Sequence, residues 1–173
     1  MRKLYLLLPI LFLIYWGCEE EQDTTPTEVT LWGEVYSVEN TTELYLFEIQ
    51  LTDSIPPEIP PEIGNLTNLT DLGLWGNRLT GSIPPEIGNL TNLTYLNLSG
   101  NQLTGSIPPE IGNLTNLTVL SILNNELTGS IPPEIGNLTN LTVLNLYGNQ
   151  LTDFIPPEIW NLTNLGSLYL SDN

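Results

Sequence analysis

The stretch SIPPEIGNLTNLTYLNLSGNQLTG, residues 82–105, returns as SIPPEIGNLTNLTVLSILNNELTG at 106–129 and as SIPPEIGNLTNLTVLNLYGNQLTD at 130–153. The period is 24 residues and the register does not slip. An earlier copy occupies 58–81, a partial one, FIPPEIWNLTNLGSLYLSDN, occupies 154–173, and TTELYLFEIQLTD at 41–53 reads as a degenerate first strand. Self-similarity at such a period marks repeated supersecondary units. One unit cannot bury its own apolar side, so the units must stack and share a continuous column of Leu and Ile.

Two apolar periods alternate within the unit. Leu96 and Leu98 flank Asn97, the period-two signal of a strand. Ile87, Leu90 and Leu93 stand three apart, which fits short 3₁₀ turns. Pro84 and Pro85 exclude a regular helix or a central strand just before them. Each unit is therefore a short strand, a turn, an extended Pro segment and a tight return. Asn77, Asn101, Asn125, Asn149 and Asn173 hold one place in successive units, with Ile49 there in the first. An amide has donors and an acceptor, so it can satisfy backbone groups that a buried turn leaves open. Gly81, Gly105 and Gly129 follow the Leu-Thr pair where a turn needs positive φ; Asp53 and Asp153, which tolerate that region better than most residues, replace them. SIPPEIPPEIGN (54–65) carries four extra residues, expected to bulge on the convex side without breaking the strand stack.

The pattern LTxLxLxxNxLTGxIPPEIGNLTN is similar to the leucine-rich repeat in its plant-type 24-residue form, over about residues 44–173. The resemblance implies an α/β fold, a right-handed solenoid with one parallel strand per repeat on the concave face and short 3₁₀ or irregular segments on the convex face. It also implies that the recurrent Asn residues form a ladder. LWGEVYSVENTTELYL resembles the plant-type N-terminal cap, with Trp32 leading and Tyr36 near the place of a cap cysteine. A cap over 31–43 follows, with Trp32, Val35 and Val38 expected to cover the first coil. No cap pattern follows the last repeat. Leu162, Leu165, Leu168 and Leu170 are expected to face solvent or a partner, and the array to be shortened or one piece of a longer one.

MRKLYLLLPILFLIYWGC opens with two basic residues and an apolar run from Leu4 to Trp16, shorter than the ~20 residues a membrane-spanning helix needs. It suits a secretory signal. The sole cysteine, Cys18, ends that run after Gly17. The segment resembles a bacterial lipoprotein signal, with Tyr15 where Leu is usual; the resemblance implies a signal over 1–17, lipidation of Cys18, and export to the cell envelope or surface. Residues 18–30, acidic and polar, read as a disordered tether. A single cysteine builds no disulfide framework.

Charge excludes some partners. The chain carries 20 acidic and 3 basic residues and no His, a net charge of −17, and beyond Cys18 its only basic residue is Arg78. Nucleic-acid binding needs a basic surface and is excluded. Docking on anionic lipid is disfavoured, leaving the lipid anchor as the membrane contact, and the charge favours a monomer unless the uncapped end pairs. No catalytic constellation stands out and no cofactor is implied. Glu62, Glu86, Glu110, Glu134 and Glu158 recur once per unit and read as a solvated row rather than a Ca²⁺ site.

The overlapping Asn-x-Thr triplets of NLTNLT read as by-products of duplication, with Thr and Asn side chains bonding locally to backbone. Between the inward Leu positions the strands vary while the scaffold does not. Those outward places hold Tyr45 and Phe47, Asp71, Gly73 and Trp75, Tyr95, Asn97 and Ser99, Ser121 and Leu123, Asn145 and Tyr147, and Tyr169. Aromatics on a rigid sheet give large contact area at low entropy cost. Tyr45, Phe47, Asp71, Trp75, Tyr95, Asn97, Leu123, Asn145, Tyr147 and Tyr169 are therefore the candidate ligand-binding residues. The expected partner is a protein or peptide, with a glycan as a second candidate. The alternatives are a structural or adhesion surface without a specific ligand, and the ectodomain of a plant-like receptor.

Overall fold

A computed structural model describes residues 26–46 and 57–173. Cys18, Phe47, Ile49, Asp53 and the first part of the four-residue insertion lie outside the described residues.

The chain enters through an antiparallel hairpin, β1 (Glu28–Leu31) and β2 (Glu34–Ser37). Its two-residue turn is Trp32-Gly33, both at positive φ (48° and 88°). Turns of that hand match the twist of the flanking strands. A bulky residue rarely adopts such a φ. Here Trp32 packs against the core, and its indole N–H donates to the Glu58 carbonyl at 3.1 Å. The cap thus begins at Glu28, inside the stretch read from sequence as tether. Of the residues expected to cover the core, Trp32 and Val38 pack against it, joined by the buried Val29 and Leu31, while Val35 is 60% exposed. Strand alternation explains the difference, because Val35 pairs with the exposed Thr30 on the outer face of the hairpin.

Six strands follow in one parallel sheet whose spatial order is their chain order: β3 (Glu43–Tyr45), β4 (Asp71–Gly73), β5 (Tyr95–Asn97), β6 (Val119–Ser121), β8 (Val143–Asn145) and β10 (Ser167–Tyr169). The register is constant, so Leu44, Leu72, Leu96, Leu120, Leu144 and Leu168 form one row. After each strand from β4 on, the chain turns through a left-handed residue, successively Gly76, Gly100, Asn124, Gly148 and Asp172, with φ between 52° and 68°. The following Leu-Thr segments form a second narrow ladder, seen as the bridges Glu58↔Thr80 and Ser82↔Thr104 and as β7 (Thr128–Gly129) paired with β9 (Gln150–Leu151). The described part of the insertion is thus tied to the coil above it and, through Glu58, to the cap. Gly81, Gly105, Gly129 and Asp153 take φ of 72°, 73°, 75° and 68°.

The convex side carries five 3₁₀ turns, Pro61–Asn65, Pro85–Asn89, Pro109–Asn113, Pro133–Asn137 and Pro157–Asn161. Proline opens each at a place where the missing N–H costs nothing. The chain then continues in three-residue steps, Ile87 N–H to the Pro84 carbonyl, Leu90 to Ile87 and Leu93 to Leu90, at 2.9–3.1 Å. These steps deliver Ile87, Leu90 and Leu93 to the core fully buried, as they do in the neighbouring coils. Full burial of such a side chain is worth about 1.5–3 kcal/mol. The helical part of the α/β expectation is met by 3₁₀ turns alone, with no α-helix among the described residues.

Coil spacing on this side is set by glycine. A Cβ built on Gly64, Gly88, Gly112 or Gly136 would stand 2.5–2.6 Å from the carbonyl oxygen of the next coil's Glu. At the equivalent place in the last described coil the residue is Trp160, 81% exposed. Leu162 is buried there and Leu165 and Leu170 are half-buried, contrary to the expectation that all four late leucines face outward; only Leu168 is exposed. The 3₁₀ steps draw Leu162 and Leu165 under the preceding coil.

Candidate functional site

The polar residues of the repeat divide into those that hold the coils together and those left on the strands. Asn101 shows the first kind. Its side-chain N–H group donates to the Leu74 carbonyl of the preceding coil (2.9 Å) and the Leu98 carbonyl of its own (3.0 Å), while its oxygen accepts from the Leu79 N–H (3.1 Å). Asn125, Asn149 and Asn173 repeat all three bonds one coil on each time, and Asn77 makes the two donations. Asn101, Asn125 and Asn149 are buried.

A second ladder runs along the convex side. Asn92, Asn116, Asn140 and Asn164 each donate at 2.8–2.9 Å to the carbonyl of Thr67, Thr91, Thr115 and Thr139 in the coil before, and Asn68 does the same to Glu39 of the cap. Beside it, the hydroxyls of Thr70, Thr94, Thr118 and Thr142 donate to the carbonyls of Thr42, Thr70, Thr94 and Thr118. The expectation of local bonding is corrected: these side chains reach across a whole coil. Parallel stacking brings the same place of the next coil closer than the next turn of the same one.

The concave face holds the variable positions. Tyr45, Tyr147 and Tyr169 are 40%, 39% and 51% exposed, and Asp71, Trp75, Tyr95, Asn97, Leu123 and Asn145 are half-buried. Four of the candidates come together at the N-terminal end. The Tyr45 ring meets Trp75 edge-on, centroids 5.9 Å apart at 77°, and Tyr95 at 6.4 Å and 50°. The Tyr45 hydroxyl donates to Asp71 Oδ1 (3.1 Å), and the Thr70 hydroxyl shares its single proton between Oδ2 (2.8 Å) and the Thr42 carbonyl (3.1 Å). Partial desolvation, then the bond to the Asp71 carboxylate, raise the Tyr45 pKa above 10.0. Gly73 lies between these groups. A Cβ there would fall 2.5 Å from Tyr45 Cδ1 and nearer still to the Trp75 ring, so its bare backbone lets both rings converge.

Elsewhere the face is quieter. Asn97 donates to the Tyr95 hydroxyl (2.9 Å) and accepts from the Ser99 N–H (3.1 Å), and Asn145 accepts from the Tyr147 N–H (3.1 Å). Ser99 and Ser121, expected to point outward, are each only 8% exposed, their hydroxyls 2.9 Å apart. Large neighbouring side chains close over them. Interaction with the Asp172 carboxylate raises the Tyr147 pKa above 10.0. Tyr147 and Tyr169 do not join the N-terminal cluster. Among the described residues, no group of three or more His, Cys, Asp or Glu could hold a metal, and no helix is long and apolar enough to cross a membrane.

The profile of the family described as "Leucine Rich repeats (2 copies)" matches residues 67–111, 91–135 and 115–157, more than half of the chain. The chain belongs to the leucine-rich-repeat family. Among solved leucine-rich-repeat structures, it is 38% identical to the Arabidopsis receptor kinase HAESA ectodomain in complex with an N-terminally extended IDA peptide hormone ligand, covering 65% of this chain and 20% of that one, TM-score 0.63. It is 30% identical to the ectodomain of the Arabidopsis thaliana receptor kinase SOBIR1, covering 82% and 74%, TM-score 0.65. A plant ice-binding protein is 34% identical, covering 82% and 43%, TM-score 0.68. In several other matched structures this leucine-rich-repeat chain spans only 13–17% of the neighbour's length. No curated protein matches the sequence.

Proposed function

We propose that this leucine-rich-repeat chain is a non-catalytic recognition module that engages a protein or peptide ligand on its concave sheet, held at the cell envelope through a lipid on Cys18. The observation that carries the reading is the convergence of Tyr45, Trp75 and Tyr95 over Gly73 on the outward side of a sheet fixed from behind by the asparagine ladder. Rigid aromatic anchors of this kind lose little entropy on binding. The HAESA ectodomain, similar to this chain, is seen with a peptide hormone ligand, which supports a peptide-binding role here. The test compares what the immobilised full chain and its Trp75→Ala/Tyr147→Ala variant retain from a peptide and protein pool. Ligands kept by the parent and lost by the variant support the reading, and identical retention sinks it. Palmitate labelling of the parent but not of Cys18→Ser would support the anchor; no incorporation into the parent would remove it.

A second reading rests on the convex side. Thr67, Thr91, Thr115, Thr139 and Thr163 stand exposed, one at the same place in each successive coil. A regular hydroxyl row is suited to an ordered surface, and a similar structure is a plant ice-binding protein. Thermal hysteresis of the chain in solution, abolished by Thr115→Lys with the fold intact, would establish ice binding. Its absence would leave the Thr row as scaffold.

A further inference from the structure

We infer that the Tyr45–Asp71–Trp75–Tyr95 cluster is a seat for an arginine side chain of the ligand. The inference rests on the concave-face reading and gives that ligand a chemistry.

The seat is built from the outward surfaces of three rings and one carboxylate, with the Tyr45 and Trp75 rings closed over a bare backbone position. Gly73 is the only outward strand position of the described concave sheet that carries no side chain. The rings of Tyr45, Trp75 and Tyr95 stand around it, with centroid distances of 5.9 and 6.4 Å from Tyr45. Asp71 lies on the same strand, two residues before, and on the same side of the sheet. Its two oxygens each accept one bond, from the Tyr45 and Thr70 hydroxyls. A carboxylate offers about four lone-pair directions, so both oxygens keep acceptor capacity for an incoming donor. Glu43, exposed, stands in register beside Asp71 on the next strand and adds a second negative charge.

These features select among ligand groups. An anion would meet Asp71 and Glu43 on a chain of net charge −17. An aliphatic side chain would use the rings but nothing of the carboxylate. A cation is attracted by the ring faces and by Asp71 together. Of the cations on a peptide, guanidinium is planar and weakly hydrated, stacks on aromatic faces and pairs with carboxylates through a fork of N–H donors. A compact ammonium uses the charge but not the stacking. The Tyr45–Asp71 bond also holds both groups in place beforehand, which lowers the ordering cost of binding.

The experiment selects displayed random dodecapeptides on the full chain at about 0.1 M salt and rescreens survivors on Trp75→Ala, Tyr147→Ala and Asp71→Asn. Asn keeps an acceptor for the Tyr45 hydroxyl, so Asp71→Asn removes charge and leaves the cluster assembled. The expected survivors lose binding on Trp75→Ala and share an arginine. Replacing that arginine by citrulline, its uncharged isostere, weakens binding about tenfold to a hundredfold, the worth of a charged hydrogen bond. Asp71→Asn gives a similar loss, and the two together cost less than the product of the separate losses. Survivors that depend on Trp75 but lack a basic residue, or bind equally well with citrulline, overturn the arginine seat and leave concave recognition standing. Survivors indifferent to both Trp75→Ala and Tyr147→Ala, or no survivors at all, overturn concave recognition and the seat with it.

Discussion

Gly112→Ala should destabilise this protein, although glycine to alanine at a position with ordinary φ usually stabilises by about 0.4–1 kcal/mol through the unfolded chain. Gly112 sits in a 3₁₀ turn and is not among the positive-φ glycines, so alanine can adopt its backbone. The obstacle is the next coil. An added Cβ would lie 2.5 Å from the Glu134 carbonyl oxygen and 2.6 Å from Glu134 Cβ, both part of, or bound directly to, the backbone and unable to swing aside. Relief requires the coils at 109–113 and 133–137 to separate by several tenths of an ångström. That movement loosens the bond from Asn140 to the Thr115 carbonyl and the contact between these two 3₁₀ turns. Overpacking of this kind costs about 1–3 kcal/mol. Set against the unfolded-state gain, the net loss is about 1–2 kcal/mol. With a urea slope of ~1–3 kcal/mol per molar, the unfolding midpoint falls by about 0.5–1 M. Trp160→Ala is the control, because the same place in the last coil carries an 81% exposed side chain; it should stay within about 0.5 kcal/mol of the parent. A midpoint raised by Gly112→Ala, with an unchanged slope, would refute the idea that glycine sets the coil spacing.

Asn125→Ala removes three bonds and leaves the Leu103 N–H unpaired in a buried setting, while the Leu98 and Ile122 carbonyls keep the bonds from Asn101 and Asn149, a loss of about 1–3 kcal/mol by urea unfolding. Asn116→Ala, which breaks one exposed bond to Thr91, should cost about 0.5–1.5 kcal/mol, whereas Asn113→Ala on the same convex edge should change stability by less than about 0.5 kcal/mol. Equal effects of these two would deny the convex ladder its role. Tyr45 should ionise above pH 10.0 in an ultraviolet titration, and Asp71→Asn should bring that transition down while Tyr147 stays raised by Asp172. The sign for stability follows: the folded pKa lies above the unfolded one, so the contribution is whole below about pH 10 and is lost as pH climbs through the folded value.

The stack itself was legible because the sequence repeats its physics along with its letters. Leu96 and Leu98 announce a strand and Ile87, Leu90 and Leu93 a 3₁₀ path, and in the structure these residues lie fully buried on those elements. The convex ladder was hidden for a specific reason. An Asn beside its own turn has a local partner in any single-unit reading, and only the neighbouring coil, a period away, supplies the carbonyl it takes. The inward role of Ser99 and Ser121 was hidden likewise, since period-two alternation assigns a direction and says nothing of the large side chains that close over a small one. At the cap, Val35 looked apolar enough to cover the core, but the hairpin register, set by the Trp32-Gly33 turn, places it opposite Thr30 on the outer face.

The two ladders also explain where variation can persist. Each Asn of the inner ladder serves two coils, and each Gly of the 3₁₀ turns is hemmed by the coil after it, so a change at either is felt across an interface. Outward strand positions carry no such double duty, and there the copies differ. The difference is uneven along the face. Tyr45, Asp71, Trp75 and Tyr95 converge at one end, the middle is occupied by Asn97, Ser99 and Ser121 bonded mainly to one another or to backbone, and Tyr147 and Tyr169 stand at the far end. A ligand lying along the solenoid would therefore find its aromatic anchors at the two ends and smaller side chains between them, polar at Asn97 and aliphatic at Val119, Leu123 and Val143. From Tyr45 to the coil of Tyr147 is four strand steps, ~19 Å at the spacing of a sheet, which an extended peptide crosses in about six residues.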